Sequence, residues 1–162
     1  MKIREATLSD ISAITDIYNE VILTTNAIYR ESKVNTDDRV KWFNQRVDSG
    51  FPVIVAEINS EIVGYGAFND FRFGEGYSGT VEHSLHVKSE NRGNGVGGAI
   101  MAQLLAIALK QNRKIMVAGI DSENTRSIEF HKRFGFIETA RMPGVAIKHD
   151  KRLTLVLMQK DL

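Results

Sequence analysis

The chain has 162 residues, of which 43% are hydrophobic and 25% are charged, a balance typical of a soluble globular protein rather than a disordered or membrane-spanning one. Its 21 Lys and Arg residues nearly cancel its 20 Asp and Glu residues, so no global field would attract nucleic acid or an anionic membrane surface. The absence of Cys excludes disulfides, a thiol nucleophile and thiolate metal ligands, and the four His residues show no metal-ligand spacing.

The spacing of apolar residues predicts a mixed α/β (α+β) chain. In chain order we expect a strand over residues 2–6, a helix from residue 11, a helix over 36–50, strands over 51–58, 61–68 and 80–87, a helix over 99–111, a strand over 114–120, a helix over 124–134, and closing strands over 136–141 and 153–159. Thr7-Leu8-Ser9-Asp10 is typical of a capping box at a helix start. The order predicts a central mixed, mostly antiparallel sheet with helices on both faces, and βαβ crossovers only in the second half.

Neither an internal repeat nor a linker interrupts this order, so we expect one domain over residues 1–162. The charged N-terminus lacks the apolar stretch of a secretory signal, and we therefore expect the protein in the cytoplasm. Within the strand over residues 80–87, alternation places Glu82, Ser84 and His86 on one face and His83 with its apolar neighbours on the other. His83 and His86 therefore point to opposite sides of the strand.

Residues 92–98, Arg-Gly-Asn-Gly-Val-Gly-Gly, lie between a predicted strand and a predicted helix. Glycines at such a place let the backbone approach a phosphate closely and turn several N–H groups toward it. The same glycines would also fit a plain turn or close helix–sheet packing. The segment is not a Walker A loop, because no Gly-Lys-Ser/Thr follows it. It predicts a local anion site in a chain with almost no net charge.

The glycine segment also matches the dinucleotide-binding pattern G-x-G-x-x-G at Gly93, Gly95 and Gly98, with Asp121 placed as a ribose-binding acid would be. In a dinucleotide fold, however, the glycines follow the strand almost directly and parallel units continue on both sides. Here five polar residues intervene and an antiparallel hairpin precedes. These differences favour another phosphate-binding fold.

Residues 92–97 resemble the R/Q-x-x-G-x-G/A motif of the GNAT acetyltransferase superfamily, and a second motif lies downstream at the matching distance. Asn124-Thr125-Arg126-Ser127 followed by residues 130–136, Phe-His-Lys-Arg-Phe-Gly-Phe, is similar to the superfamily's N-x-x-(A/S)-x-x-(L/F)-(Y/H)-x-K-x-G-F element. The order of elements over residues 1–162 also resembles the GNAT fold. The resemblance implies an acetyl-CoA-dependent N-acetyltransferase that uses no metal.

The resemblance assigns cofactor-binding roles to eleven residues. Backbone groups of strand residues are expected to bind the thioester and pantetheine, the glycine segment the pyrophosphate, and the second motif the pantetheine arm and phosphates. The implied residues are Leu85, Val87, Arg92, Gly93, Asn94, Gly95, Val96, Gly97, Asn124, Ser127 and Lys132.

Transfer from a thioester to an amine needs a neutral amine, a polarised carbonyl and a proton for the departing thiolate. With no Cys and no recognisable Ser-His-Asp pattern, direct attack in a ternary complex is the economical mechanism. The resemblance makes Glu82 the candidate general base. His131 takes the place of a superfamily tyrosine that protonates the thiolate, and it is expected either to carry that proton or to pack beside the cofactor.

Within the superfamily, residues 24–29, 42–43, 64–68, 71–72 and 80–84 resemble the branch that acetylates phosphinothricin and methionine sulfoximine. That resemblance implies an amino-acid-like substrate whose carboxylate meets Arg72, with Tyr29 and Phe73 as pocket walls, and a homodimer. The chain departs from the branch at Ser84-Leu85-His86-Val87, where S-V-Y-V is usual, and at residues 151–154. Two alternatives stay open: a peptide or protein N-terminal acetyltransferase, and an acyl-CoA-binding sensor without turnover.

Overall fold

A computed structural model describes all residues, 1–162, as a seven-stranded sheet with four α-helices. The elements are β1 (Lys2–Glu5), α1 (Ile11–Thr24), α2 (Thr36–Asp48), β2 (Val53–Ile58), β3 (Glu61–Asp70), β4 (Thr80–Val87), α3 (Val96–Lys110), β5 (Ile115–Asp121), α4 (Thr125–Arg133), β6 (Ile137–Lys148) and β7 (Lys151–Asp161). The strand order is β1-β2-β3-β4-β5-β7-β6, and β4 with β5 is the one parallel pair. The predicted fold class and element order are confirmed.

Two apolar layers cover the two faces of the sheet. The larger core cluster joins α3 and Ile128 of α4 to one face, and the smaller cluster joins α1 and Phe43 of α2 to the other. Helical spacing predicts that α2 buries Val40, Phe43 and Val47, but Val47 is half exposed and Arg39 is buried instead. No helix is long and apolar enough to cross a membrane.

The sheet divides between β4 and β5. Their parallel ladder covers only three registers, from Thr80 opposite Ile115 to Glu82 opposite Val117. Beyond that point β5 keeps its full antiparallel ladder with β7, and β4 keeps its ladder with β3. Because both strands hold their outer partners, the sheet separates into two halves and leaves a split at the C-terminal end of β4.

Two predicted boundaries were wrong. The helix expected from residue 99 begins at Val96, because Gly95 takes a left-handed conformation (φ 81°) that serves as the N-cap. The closing strands are also longer than predicted, since β6 continues to Lys148 and pairs with β7 across a bulge between Met142 and Ala146. Bulges accommodate Pro and Gly on an edge strand, which is why Pro143-Gly144 does not end β6.

Gly66 of β3 brings α3 close to the sheet. A Cβ built at this position would lie 2.5 Å from Cγ2 of Ile100 and 3.0 Å from Cδ1 of Leu104, both in α3. Real side chains do not tolerate such a distance, so α3 rests directly on the backbone of β3. Gly66 therefore allows α3, the helix that follows the split, to pack closely against β3.

Lys148, at the end of β6, ties the segment between α1 and α2 to the rest of the fold. Its side chain is 2% exposed, and Nζ donates to three carbonyl oxygens: Ile22 at 2.6 Å, Thr25 at 2.6 Å and Ile28 at 3.0 Å. These carbonyls belong to the C-terminal end of α1 and the residues after it, where backbone acceptors lack helical partners. One buried ammonium group thus satisfies the end of the helix and fixes the following loop.

Candidate active site

A cavity of about 490 Å³ passes through the split and reaches both faces of the sheet. Glu82, Ser84 and His86 of β4 and residues 118–121 of β5 form its middle. On the face covered by α1 and α2 it is lined by Tyr18, Arg39, Trp42, Arg46, Tyr65 and Asn69, and on the face covered by α4 by Asn124, Ser127, Phe130 and His131. Side chains from the two halves of the chain therefore meet around one opening.

The backbone of β4 offers unpaired groups to this opening. In an antiparallel pair, alternate residues direct their N–H and C=O groups toward the partner strand. The N–H of Lys88 donates to the carbonyl of Val63 at 2.9 Å, so even-numbered positions of β4 face β3. Leu85 and Val87 consequently direct their backbone groups toward β5, where the β4–β5 ladder has already ended. The carbonyl of Val87 accepts from Nε of Arg92, so the groups left for a ligand are the N–H and C=O of Leu85 and the N–H of Val87.

The glycine segment forms an open cradle at the start of α3. Gly93 and Gly95 both have positive φ, and no atom lies within 4 Å of a Cβ built at Gly95. Gly95 gives no side-chain cap, so the first N–H groups of the 15-residue helix, from Val96 onward, lack side-chain partners. Asn94 is exposed in the same turn, and Gly97 lies in the first helical turn, against Leu85 and Phe130. This geometry fits a diphosphate, which helix N-termini bind through free amides and the helix dipole.

The two basic residues predicted beside the phosphates differ in their surroundings. Arg92 donates from Nε to the carbonyl of Val87 at 3.0 Å, and its Nη2 lies 3.8 Å from Glu20. It therefore braces the glycine segment against the end of β4. Lys132 is exposed on α4 and pairs with Glu129 one turn away at 2.7 Å.

Glu82 lies in the middle of the cavity, on the last register of the β4–β5 ladder. Its Oε1 is 3.2 Å from the position that a Cβ would take on Gly119 of β5, so the glycine leaves room for the carboxylate. Burial raises the pKa of Glu82, and the nearby positive charge of Arg72 partly opposes that increase. A carboxylate in this environment is a stronger base than an exposed one.

His131 is buried on α4 and forms a pair with His83 of β4. Nδ1 of His131 lies 2.7 Å from the carbonyl oxygen of Ser127, which can only accept, so this nitrogen carries the proton. The Nε2 atoms of the two rings are 3.1 Å apart, and His83 must therefore donate to Nε2 of His131. Burial lowers the pKa of both rings, that of His83 to about 3, and both are neutral at pH 7. His131 accordingly directs no proton into the cavity.

Asn124 caps α4 as expected. Its side-chain oxygen accepts from the N–H of Ser127 at 3.1 Å, and both residues line the cavity.

The pKa of Tyr29 is raised by burial, and its hydroxyl donates to Asp121 at 3.0 Å and to the carbonyl of Thr154 at 3.2 Å. Tyr29 thus holds Asp121 at the cavity, while its neighbours Ala27 and Ile28 form part of the wall.

Arg72 and Phe73 do not line this cavity. They line a second one on the same side of the sheet with Phe71 and Tyr77, and the Phe73 side chain is fully exposed. The guanidinium of Arg72 stacks over the Phe71 ring at 5.2 Å. The structure therefore brings Glu82 and His131 together with Leu85, Asn124 and Ser127 around the cavity and leaves Arg72 and Phe73 at its periphery.

Sequence reasoning missed a cationic and aromatic cluster on α2. Cζ of Arg39 lies 3.6 Å from the ring centroid of Trp42 and 4.3 Å from that of Tyr18. Cζ of Arg46 lies 4.5 Å from the ring centroid of Trp42. All four residues line the cavity. The resemblance to the branch included Trp42 but assigned no role to either Arg. The further sequence signal is an Arg-x-x-Trp-x-x-x-Arg spacing, which places the three side chains on one face of a helix.

Comparisons with known proteins agree with this geometry. A model of the Acetyltransferase (GNAT) family matches residues 14–136. The chain is 41% identical over 162 residues to L-methionine sulfoximine/L-methionine sulfone acetyltransferase of Salmonella typhimurium, covering 100% of this chain and 95% of the relative. It is 40% identical over 162 residues to an L-amino acid N-acyltransferase of Escherichia coli, with 100% and 94% covered.

Solved structures show the same fold. An acetyltransferase from Salmonella typhimurium, determined with its cofactor acetyl-CoA, superposes with a TM-score of 0.97 at 41% identity, covering 100% of this chain and 94% of the other. A ribosomal-protein-alanine N-acetyltransferase from Brucella melitensis superposes with a TM-score of 0.98 at 37% identity and full coverage of both chains.

Proposed function

The chain belongs to the GNAT family of acetyltransferases, and we propose that it acetylates the primary amine of a small amino-acid-like acceptor such as methionine sulfoximine or phosphinothricin. It is an acetyl-CoA-dependent enzyme, as its relatives are. The observation that carries the proposal is the split between β4 and β5, where unpaired backbone groups lead into the free N-terminus of α3 and the half-buried carboxylate of Glu82 adjoins them.

Bound acetyl-CoA supplies the activated acyl carbon, and the residues of this chain bind and orient it. The N–H and C=O of Leu85 and the N–H of Val87 face the split and would hold the thioester and pantetheine amides, while the carbonyl of Val87 accepts from Arg92. Amides of residues 93–97 would hold the pyrophosphate, and Asn124 and Ser127 would contact the pantetheine arm from α4. Recognition by backbone groups explains why Leu85 and Val87 can be generic strand residues.

Glu82 would accept the proton of the acceptor ammonium, directly or through water, so that the neutral nitrogen attacks the acyl carbon. The N–C bond then forms, the C–S bond breaks, and the thiolate of coenzyme A leaves with the electron pair of that bond. The nitrogen loses its second proton to solvent, which leaves the neutral amide. For His131, the hydrogen-bond pattern supports packing beside the cofactor, because its Nε2 already accepts from His83. The thiolate would then take its proton from solvent.

A screen of acceptors tests this proposal. Thiol release from acetyl-CoA is measured with free amino acids, including methionine sulfoximine, methionine sulfone and phosphinothricin, and with short peptides that have free N-termini. We expect release with the oxidised amino acids and little with peptides. Release with peptides alone would establish a peptide or protein N-terminal acetyltransferase, and binding of acetyl-CoA without release would establish a sensor.

We also propose a single-domain homodimer in the cytoplasm. Exposed apolar side chains support the association: Ile137, Val145 and Ile147 of the edge strand β6 are each about half or more exposed. Phe73 is fully exposed in the second cavity beside Arg72, and its ring would be buried if the second subunit covered that cavity. Light scattering on a size-exclusion column tests the dimer, and a monomer mass would refute it.

A further inference from the structure

We propose that Arg39 of α2 binds an oxyanion of the acceptor substrate, a carboxylate or phosphinate group, and so selects acidic amino-acid-like acceptors. This inference rests on the proposed function, because it assigns a group within the acceptor side of the same cavity. It concerns a residue that the sequence patterns did not single out, at a place where they predicted an apolar helix face.

The Arg39 side chain is buried without a polar partner. It is 6% exposed, and its Nε and Nη2 atoms are buried and form no hydrogen bond. The aromatic rings of Tyr18 and Trp42 hold the plane of the guanidinium from two sides. Burial lowers the pKa of Arg39, which shows that removal from water is not offset by an acid within the protein.

No acid of the cavity neutralises this charge. The two carboxylates of the lining are Glu82 and Asp121, and neither forms an ion pair with Arg39. Asp121 instead accepts from the hydroxyl of Tyr29. A buried and unpaired guanidinium that lines a cavity is costly to the free protein, and a ligand oxyanion would recover that cost through a paired hydrogen bond.

A second cation reinforces the preference for an anion. Arg46 lies two turns along α2 on the same face, and its Nη2 donates to Asn69 at 3.0 Å, while its Nε is also buried without a partner. Asn69 lies opposite Glu82 in the β3–β4 ladder, so this positive face extends toward the candidate base. An acceptor that placed its amine at Glu82 would therefore have its acidic group beside α2. The planar fork of Arg matches both carboxylate and phosphinate oxygens.

The experiment compares three acceptors: phosphinothricin, its α-carboxamide, which lacks the carboxylate, and norleucine, which lacks the phosphinate. Dissociation constants are measured by calorimetry without acetyl-CoA, on the wild type and on Arg39→Met. We expect the variant to bind phosphinothricin at least about 30-fold more weakly, as when a partner of a buried charge pair is removed. The analogue that lacks the recognised oxyanion should bind wild type and variant equally, which identifies the group.

Two controls keep the test decisive. Arg113→Met removes a guanidinium that also lies over an aromatic ring, Phe51, but outside the cavity, and it should leave all three constants unchanged. Trp42 is the only tryptophan, so its emission in the wild type should change with phosphinothricin and not with the analogue that lacks the recognised group.

Equal weakening for all three ligands, or none, would overturn the inference and leave Arg39 as a packing residue. If Arg39→Met does not fold, Arg39→Lys, which keeps the charge without the fork, is judged by the same comparison. Absence of thiol release with every amine would contradict the proposed function, while the binding comparison would still decide the role of Arg39.

Discussion

Replacing Lys148 by Met tests how one buried ammonium supports both the fold and the cavity. The change keeps much of the side-chain length but removes the Nζ donor from the carbonyl oxygens of Ile22, Thr25 and Ile28, of which Ile28 still accepts from the N–H of Arg30 at 2.8 Å. The bond to Ile22 is buried, and the other two are partly buried and can be replaced by water. A buried acceptor without a donor costs about 1–3 kcal/mol, and the two partly buried acceptors cost less. The variant no longer buries a charge, which offsets part of this cost. We expect the free energy of unfolding to decrease by about 2–4 kcal/mol.

Urea unfolding measures this loss as a lower midpoint with an unchanged m-value. Lys151→Met is the matched control: it lies three residues away and pairs with Glu123 on the surface, with both side chains more than half exposed, so it should change stability by less than about 1 kcal/mol. Hydrogen exchange should accelerate first in residues 25–28, which include part of the cavity wall. Equal destabilisation by the two variants would refute the reasoning.

Three further outcomes are expected. Glu82→Gln should lower turnover by about 10²–10⁴-fold while calorimetry shows an unchanged affinity for coenzyme A. The control Glu90→Gln should change neither quantity. Equal losses of turnover and affinity in Glu82→Gln would mean that Glu82 is not the general base. Gly66→Ala should cost about 1–3 kcal/mol in urea unfolding because α3 must move, whereas Gly76→Ala, with no atom within 4 Å, should cost far less; similar costs would contradict the close approach. Burial lowers the pKa of His86 to about 4, so below pH 6.5 the unfolded chain binds a proton that the folded chain does not. The free energy of unfolding should therefore decrease as the pH is lowered from 6.5 to 4, with a shallower slope in His86→Gln. Identical slopes in the two proteins would exclude this cause.

Features fixed by neighbours in the chain were predictable from sequence. Only two residues, Asn59 and Ser60, separate the strands predicted over 51–58 and 61–68, a spacing that predicts a hairpin turn. Both residues have the positive φ that such turns require. Asp10 indicated a capping box, and its carboxylate accepts from the N–H of Thr7 at 2.8 Å. The glycine segment was placed before a helix, although the helix starts three residues earlier than expected.

Features that depend on tertiary contact were not predictable. An Arg on a helix is normally solvated, and only the rings of Trp42 and Tyr18 make the burial of Arg39 possible. The pairing of His83 with His131 joins residues 48 positions apart and depends on how α4 packs on the sheet. The peripheral location of Phe73 follows from the loop after β3, whose course no local pattern specifies.

Because the sheet divides, the cavity is lined on one face of the sheet by residues of α2 and on the other by residues of α4. Two different molecules can therefore approach the same reacting atoms from opposite sides without crossing each other's path. A synthetic compound that joins an amino acid to coenzyme A through a short covalent bridge would thread the opening and occupy both sides of the cavity at once. Tethering makes the second contact intramolecular, so such a compound should inhibit far more strongly than either half alone.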